Sequence, residues 1–254
     1  MFYTGLTSIT FRALPYERII ELAKEAALDG IEWGGDGHVK PGLTDDARKI
    51  AEATRAAGLQ VLSLGSYYRP GADDLGVGNQ VLDLCAAMET KMLRVWAGRL
   101  GSMEAEGDAR RTCVDALKTL CRDAASMGVT VATEYHSNTL TDNLPSTLRL
   151  MHEVGMDNFR TYWQPVVYDS AEVNARALAA VLPYAANIHV FAWTHQNGSI
   201  QRDTLEAGID AWNRYMDVLR ASNEDRALIL EFVRGDDPEV FLRDAATLNR
   251  LARA

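Results

Sequence analysis

The feature that most constrains the fold is a glycine that recurs where an amphipathic, alanine-rich stretch gives way to an apolar run. It occurs at Gly30, Gly58, Gly128 and Gly155. Glycine can turn the chain at a helix end because it adopts left-handed backbone conformations without a Cβ clash. The intervals are 28, 70 and 27 residues, and the middle one leaves room for a unit without the glycine. A helix followed by a strand every ~30 residues has the length of a βα unit.

Extending this pattern over the chain predicts eight strands separated by helices. The strands are predicted at residues 2–9, 30–34, 59–64, 91–96, 129–134, 159–164, 186–191 and 226–232. The helices are predicted from Pro15 onward and at residues 44–57, 76–89, 105–126, 141–154, 170–182, 202–221 and 237–253. Eight consecutive βα units in 254 residues have the size of a (β/α)8 TIM barrel.

A doubly wound open sheet is the alternative architecture. Such a sheet favours a glycine-rich phosphate-binding turn after its first strand. Here the first strand instead runs into Thr7-Ser8-Ile9-Thr10-Phe11-Arg12. No proline-rich or serine-rich linker interrupts the series, so we expect a single α/β TIM barrel domain over residues 1–254.

Composition narrows the class of function. The formal net charge of −9 argues against a nucleic-acid-binding surface, and no apolar run is long enough to cross a membrane. The N-terminus lacks the features of a secretory signal, and none of Cys85, Cys113 and Cys121 lies in a CxxC motif. We therefore expect free thiols, a cytoplasmic location and a small-molecule ligand, with a homo-oligomer left open.

Polar residues gather where predicted strands five to eight end, which in a TIM barrel is the active face. Glu134 and Glu231 each terminate an apolar run, His189 lies within Ile188-His189-Val190-Phe191, and Gln164 ends strand six. A buried carboxylate needs a partner, so each glutamate predicts either an arginine salt bridge or a metal, and His189 alone could be a core histidine. Two carboxylates, an imidazole and an amide oxygen together suit one divalent ion, Mn²⁺, Mg²⁺ or Co²⁺.

On these positions the chain resembles the xylose isomerase-like (β/α)8 superfamily, in particular its sugar-phosphate isomerase/epimerase branch, over essentially its whole length. The family pattern is Glu, Asp, His and Glu on successive strands around one divalent metal. Glu134, His189 and Glu231 match it in type, strand position and order. Gln164 stands where the family usually has Asp, and Val167 where many members have His.

The resemblance implies a metal-dependent sugar isomerase or epimerase that moves a proton through an enediolate intermediate. Glu134 and Glu231 would be its catalytic acid and base, a task for which two carboxylates in unequal environments are suited. A lyase or hydratase acting on a keto-sugar or keto-glycoside is the first alternative. Cleavage of abasic DNA, as in another branch of the superfamily, and a non-catalytic sugar-binding barrel are further alternatives.

Five residues near the strand ends are candidates for substrate binding. His38 follows strand two behind several glycines. His136 lies two residues beyond Glu134, so a continuing strand would turn the side chains of Glu134 and His136 to the same face. Trp96 and Trp193 could form aromatic walls against a sugar, and Tyr67 could close the site. For each residue, packing of a loop is the alternative interpretation.

Overall fold

Eight parallel strands close into a barrel in the computed structural model, which describes all residues from Met1 to Ala254. The ten strands of the chain are β1 (Phe2–Thr7), β2 (Gly30–Gly34), β3 (Gln60–Gly65), β4 (Met92–Val95), β5 (Thr130–Thr133), β6 (Phe159–Trp163), β7 (Ala185–Val190), β8 (Ala192–Gln196), β9 (Ser199–Asp203) and β10 (Arg226–Leu230). Strands β1 to β7 follow one another around the barrel, and β10 closes it between β7 and β1. The predicted (β/α)8 TIM barrel is confirmed.

Eight helices pack around the strands. They are α1 (Tyr16–Glu25), α2 (Thr44–Ala56), α3 (Leu75–Met88), α4 (Asp108–Ala125), α5 (Leu144–Val154), α6 (Ala171–Val181), α7 (Ile209–Arg220) and α8 (Pro238–Arg253). Several begin at a polar side chain that accepts a backbone N–H of the first turn, as Asn143 does for α5 and Asp237 for α8. No helix is long and apolar enough to span a bilayer.

Three of the four recurrent glycines have the conformation that the sequence predicts. Gly58, Gly128 and Gly155 follow helices with φ values of 83°, 65° and 57°. Gly30 does not end a helix but lies inside β2, where a Cβ would approach the carbonyl oxygen of Gln60 to 2.4 Å. The left-handed residue after α1 is Ala27, with a φ of 51°. Gly30 is therefore required for close strand packing rather than for a turn.

The predicted helix over residues 202–221 is wrong at its start, because α7 begins only at Ile209. Directly before it lies a short 3₁₀ helix (Leu205–Gly208), and ahead of that β8 and β9 form an antiparallel hairpin. Its turn is Asn197-Gly198, and both residues have positive φ values, 51° and 79°. Asn-Gly between two extended segments is a strong signal for a two-residue hairpin turn. The hairpin follows β7 and carries Trp193 beside the mouth of the barrel.

The three cysteines are free thiols and all are buried. Burial raises the pKa of each of Cys85, Cys113 and Cys121 to about 12. A thiol that stays protonated at neutral pH is a poor nucleophile and a poor metal ligand. The cysteines are therefore packing residues, and the chemistry has to come from the carboxyl ends of the strands.

Candidate metal centre and active site

The four side chains predicted as metal ligands come together at the carboxyl ends of β5, β6, β7 and β10. Glu134, Gln164 and Glu231 each follow directly after the last residue of a strand, and His189 is the penultimate residue of β7. The backbone N–H of Glu134 donates to Val95 and that of Glu231 to Val190, so both backbones continue the ladder of hydrogen bonds. Glu134, His189 and Glu231 are buried, and Gln164 is half-buried.

His189 Nδ1 is the centre of this group. It lies 3.1 Å from Gln164 Oε1, 3.4 Å from Glu231 Oε2 and 3.7 Å from Glu134 Oε1. One donor atom from each of Glu134, His189 and Glu231 lies within 4.8 Å of the others. Three oxygens from three different strands thus surround one nitrogen.

The donor set fits a divalent cation. In an octahedral site with bonds near 2.1 Å, neighbouring donor atoms are about 3 Å apart and opposite ones about 4 Å. The separations of 3.1, 3.4 and 3.7 Å around His189 Nδ1 fall in this range. Carboxylate, amide and imidazole donors are those that Mg²⁺, Mn²⁺ and Co²⁺ accept. Glu134, Gln164, His189 and Glu231 could therefore hold one such ion.

Two charged residues outside the predicted ligand set complete the centre. Glu32 of β2 and Arg94 of β4 are almost completely buried inside the barrel. Arg94 Nη1 forms an ion pair with Glu134 Oε2, and Arg94 Nε lies 3.4 Å from Glu32 Oε1. Glu32 Oε1 also lies 3.1 Å from His189 Nε2, while Glu32 Oε2 accepts the hydroxyl of Ser63 at 2.7 Å. A charged residue in a strand whose other residues are apolar or glycine is the signal that could have identified both.

The arginine does not occupy the centre. It engages Oε2 of Glu134, whereas Oε1 of the same carboxylate faces His189. Arg94 compensates one of the three buried carboxylates of Glu32, Glu134 and Glu231. A neutral imidazole, the form in which His189 would bind a metal, leaves two negative charges. A divalent cation would balance that remainder, and burial of the uncompensated charge would otherwise be costly.

Neighbouring charges shift the pKa values in this centre against the effect of burial. For His189 burial lowers the pKa, but the negative charges of Glu231 and Glu32 outweigh this effect and raise the pKa to about 10. For Glu231 burial raises the pKa, yet His189 and Arg94 hold it below its usual value. The same holds for Glu32, where burial is outweighed by Arg94 and His189, and its pKa lies well below the ordinary range. These glutamates are therefore carboxylates at neutral pH.

The turn after Glu231 has an unusual backbone. Phe232 has a φ of 48°, in the left-handed region that non-glycine residues rarely adopt. Its N–H donates to Thr10 Oγ1 at 3.0 Å, and the guanidinium groups of Arg12 and Arg202 lie 5.3 Å and 4.7 Å from the centre of its ring. Left-handed non-glycine residues persist where surrounding contacts hold them, often beside functional groups. Here those contacts fix the chain immediately after a candidate ligand.

Tyr67, Trp96 and His136 form one aromatic cluster beside Glu134. The rings of Tyr67 and Trp96 are 5.9 Å apart, and those of Trp96 and His136 are 4.4 Å apart. The guanidinium of Arg69 stacks on Trp96 at 4.0 Å. Loops after β3, β4 and β5 thus supply an aromatic and cationic wall on one side of the mouth.

Trp193 lies on the other side of the mouth, on β8. Its ring stacks on Phe191 at 4.0 Å, and its Nε1 donates to the carbonyl oxygen of Phe232 at 3.4 Å. It also lines a cavity of about 350 Å³ between the loop after β6 and the start of α7. This contact with Phe232 links the hairpin to the turn that follows Glu231.

His38 differs from the other candidates for substrate binding. Its Nδ1 lies 3.1 Å from Ser8 Oγ and its Nε2 lies 2.9 Å from the carbonyl oxygen of Leu14. The ring also packs edge-on against Trp33 at 5.7 Å. Both ring nitrogens are engaged by the protein, so His38 has none to offer a substrate hydroxyl and instead fastens the loop after β2. The expectation from its position is corrected on this point.

Comparisons with known proteins identify a matching family and similar proteins for this barrel. The profile of the xylose isomerase-like TIM barrel family matches residues 20–251. The 3-dehydroshikimate dehydratase of Bacillus anthracis is 28% identical over 168 residues, which are 61% of this chain and 59% of that protein. The match thus spans about three fifths of the relative's length.

Solved structures extend the likeness in fold to nearly the whole chain. The crystal structure of the probable 3-dehydroshikimate dehydratase AsbF of Bacillus anthracis has a TM-score of 0.79 and 20% identity, with 98% of this chain and 99% of that chain covered. The structure of an L-ribulose 3-epimerase has a TM-score of 0.75 and 16% identity, with 99% and 94% covered. At these identities the likeness is one of fold.

Proposed function

The chain belongs to the xylose isomerase-like TIM barrel family, and we propose that it is a divalent-metal-dependent lyase that removes water from a small hydroxylated keto compound. The observation that carries the proposal is the pair Glu134 and Glu231, whose carboxylates face the same buried imidazole from strands on its two sides. The similarity to a 3-dehydroshikimate dehydratase supports elimination of water in preference to isomerisation.

The residues for the metal are Glu134, Gln164, His189 and Glu231. A divalent ion bound there would polarise a substrate carbonyl and so increase the acidity of the neighbouring C–H bond. Arg94 contacts Glu134 and Glu32 contacts His189 on the sides away from the candidate metal position, so the donor atoms are oriented before a ligand binds. Their burial keeps water from competing for these contacts.

The chain's own carboxylates then carry the protons. One of Glu134 and Glu231 takes the proton from the carbon beside the carbonyl. The electron pair of that C–H bond becomes a C=C bond as the C–O bond on the next carbon breaks. The departing hydroxide takes up the proton that this glutamate has just accepted and leaves as water, so the carboxylate is regenerated and atoms and charge balance. The two carboxylates have different neighbours, since Glu134 pairs with Arg94 and Glu231 does not, so one can serve as the base while the other stays ionised.

Aromatic side chains on both sides of the mouth are the proposed substrate walls. Tyr67, Trp96 and His136 form the wall beside Glu134, and Trp193 forms the wall beside Glu231. Flat aromatic faces bind the apolar face of a ring compound and exclude water from it. The remaining loop polar groups would then contact hydroxyl or carboxyl groups of the ligand.

A sugar isomerase or epimerase is the second candidate. It uses the same first step, removal of a proton beside a carbonyl, but returns a proton to carbon instead of expelling hydroxide. The two carboxylates that face one centre suit this reaction as well, since a proton can be taken and returned by different groups. The likeness in fold to an L-ribulose 3-epimerase supports keeping it.

To test the proposal, the Mn²⁺-loaded protein is incubated in D₂O with 3-dehydroshikimate and, separately, with L-ribulose and with D-fructose. The expected result is loss of water from 3-dehydroshikimate, which is monitored by ultraviolet absorbance and by NMR. Deuterium incorporation into either sugar with formation of an isomer would favour the second candidate. Absence of both elimination and exchange with all three compounds would contradict proton abstraction by this site on these compound classes.

Two variants connect the activity to the site. Glu134→Gln and Glu231→Gln should each lower kcat by about 10²–10⁴-fold, because each removes a group that accepts or donates a proton. Asp244→Asn is the matched control, since Asp244 is also a buried carboxylate but lies on α8 and accepts the N–H of Leu205. It should retain full activity.

The proposed ligand is a small molecule. The net charge of −9 disfavours a nucleic acid, so binding to abasic DNA should be lost at moderate salt. A cytoplasmic location stays a prediction from the sequence, and a homo-oligomer stays open.

A further inference from the structure

Glu32 is a buried carboxylate inside the barrel that is neither one of the candidate metal ligands nor used in the proposed proton transfers. We propose that Glu32 is a positioning residue: it holds the proton of His189 on Nε2 and so directs the lone pair of Nδ1 at the metal. The inference rests on the proposed function, because it assumes that Glu134, Gln164, His189 and Glu231 hold a divalent ion.

The contact between Glu32 and His189 crosses the interior of the barrel. β2 and β7 are not neighbours, since β1 and β10 lie between them on the shorter way around. Glu32 Oε1 nevertheless reaches His189 Nε2 at 3.1 Å, and both side chains are fully buried. The contact therefore joins two strands that share no backbone hydrogen bonds.

The surroundings of Glu32 determine which partner donates. Ser63 Oγ donates to Glu32 Oε2 at 2.7 Å, and Arg94 Nε lies 3.4 Å from Oε1. An ionised carboxylate with such neighbours can only accept hydrogen bonds. The hydrogen atom in the contact with His189 must therefore be on Nε2.

The other nitrogen of the ring then has a defined state. In the metal-bound state the imidazole is neutral, and with its proton on Nε2 the lone pair of Nδ1 is available to the ion. Its neighbours are Gln164 Oε1, Glu231 Oε2 and Glu134 Oε1, all of them oxygens that also present lone pairs. Four lone pairs directed at one another repel unless positive charge lies among them, either a proton on Nδ1 or a metal ion that replaces it. A carboxylate that orients a histidine in this way usually strengthens metal binding.

The test measures the affinity for Mn²⁺ alone by calorimetry. Glu32→Gln keeps the shape of the side chain but offers Nε2 both a donor and an acceptor, so it no longer selects one tautomer. The expected result is a Kd for Mn²⁺ about 10–100-fold weaker than in the unchanged protein. Ser63→Ala, which removes one donor to Glu32, should weaken binding by a smaller factor. Asp244→Asn should leave the Kd unchanged, because this buried carboxylate lies on α8.

A second measurement reports on the tautomer itself. In protein labelled with ¹⁵N-histidine and loaded with Mg²⁺, two-bond ¹H–¹⁵N correlations should show His189 protonated on Nε2. The signal is assigned by its loss in His189→Gln. In Glu32→Gln the Nε2-protonated form should no longer be the single form, whereas Asp244→Asn should retain it.

The outcomes separate this inference from the proposed function. If the unchanged protein binds Mn²⁺ and Glu32→Gln binds it equally well with the same tautomer, the role of Glu32 is refuted and the metal site stands. Equal weakening in Glu32→Gln and Asp244→Asn would also refute it, as a general loss of stability. If the unchanged protein binds no Mn²⁺, both proposals fail. Should Glu32→Gln not fold, Ser63→Ala decides: an affinity for Mn²⁺ equal to that of the unchanged protein refutes the role.

Discussion

Arg94 and Glu134 form an ion pair inside the barrel that engages only one oxygen of the carboxylate. Arg94 Nη1 contacts Glu134 Oε2, and Glu134 Oε1 faces His189 Nδ1. The carboxylate is thus shared between a permanent cation and the candidate metal centre. This division allows a buried arginine and a divalent ion to coexist on one glutamate.

Arg94→Met should destabilise the metal-free protein. Without the guanidinium, the carboxylates of Glu32 and Glu134 stay buried but lose their arginine, and breaking a buried ion pair in this way typically costs about 3–5 kcal/mol. Urea unfolding with and without Mn²⁺ measures the effect. Because the ion would supply part of the missing positive charge, Mn²⁺ should reduce the loss.

Arg110→Met is the matched control for that experiment. Arg110 is also buried and pairs with Glu153, but it lies on α4. Its loss should lower the free energy of unfolding without any additional recovery by Mn²⁺. Equal behaviour of the two variants would contradict a shared role of Glu134.

Gln164→Glu should bind divalent metal more tightly than the unchanged chain. The substitution keeps the length of the side chain and replaces a neutral oxygen, 3.1 Å from His189 Nδ1, with a charged one. More ligand charge raises the affinity for Mn²⁺ or Mg²⁺, and we expect a gain of about tenfold or more. Gln164→Ala should weaken binding. Calorimetry on the three proteins measures the order, and a Gln164→Ala protein with unchanged affinity would exclude Gln164 as a ligand.

Removal of metal should lower the thermal stability of the protein. A ligand that binds only the folded state at 100 times its Kd stabilises it by about 2.7 kcal/mol. The melting temperature after treatment with EDTA should therefore rise again on addition of Mn²⁺. The rise should disappear in Glu231→Gln, which loses a donor of the centre, and persist in Asp244→Asn. A rise of the same size in Glu231→Gln would place the stabilising ion elsewhere.

Asp244 should make stability depend on pH. Burial raises the pKa of this carboxyl from 3.8 to about 6 in the folded chain. The folded state therefore holds the proton more tightly than the unfolded state between these values. The resulting stability is fully present below about pH 3.8 and is lost as the pH rises through 6. The difference is on the order of 2–3 kcal/mol.

Asp244→Asn removes this dependence. Asparagine does not titrate, yet its Oδ1 can still accept the N–H of Leu205, which lies 2.8 Å from Asp244 Oδ1. Urea unfolding of both metal-free proteins at pH 4, 5, 6 and 7 should show a steeper loss of stability in the unchanged chain. Parallel curves for the two proteins would contradict the raised pKa.

The sequence could identify the barrel and most of its centre because both follow from local order along the chain. Repeated helix-to-strand transitions predict parallel strands, and parallel strands place all their carboxyl ends on one face. Glu134, His189 and Glu231 could therefore be grouped without any knowledge of side-chain direction. The Asn197-Gly198 turn was an equally local signal, and with it the β8–β9 hairpin could have been predicted too.

Glu32 and Arg94 carried a weaker local signal. Each stands within a strand otherwise made of residues suited to burial, in Gly30–Gly34 and Met92–Val95. A charge at such a position has to be compensated, but the sequence does not say by which group. The partners lie on other strands, and for Glu32 and His189 they are 157 residues apart.

The amino-acid sequence alone thus determined which strands form, which of their ends carry donor atoms and which ligand class those atoms suit. Only the closed barrel decided that Glu134 divides its two oxygens between Arg94 and the other candidate metal donors, and that His189 turns Nδ1 toward them and Nε2 toward Glu32. The physical reason is that side-chain directions in a packed interior depend on neighbours brought together by closure of the sheet, and these neighbours are remote along the chain.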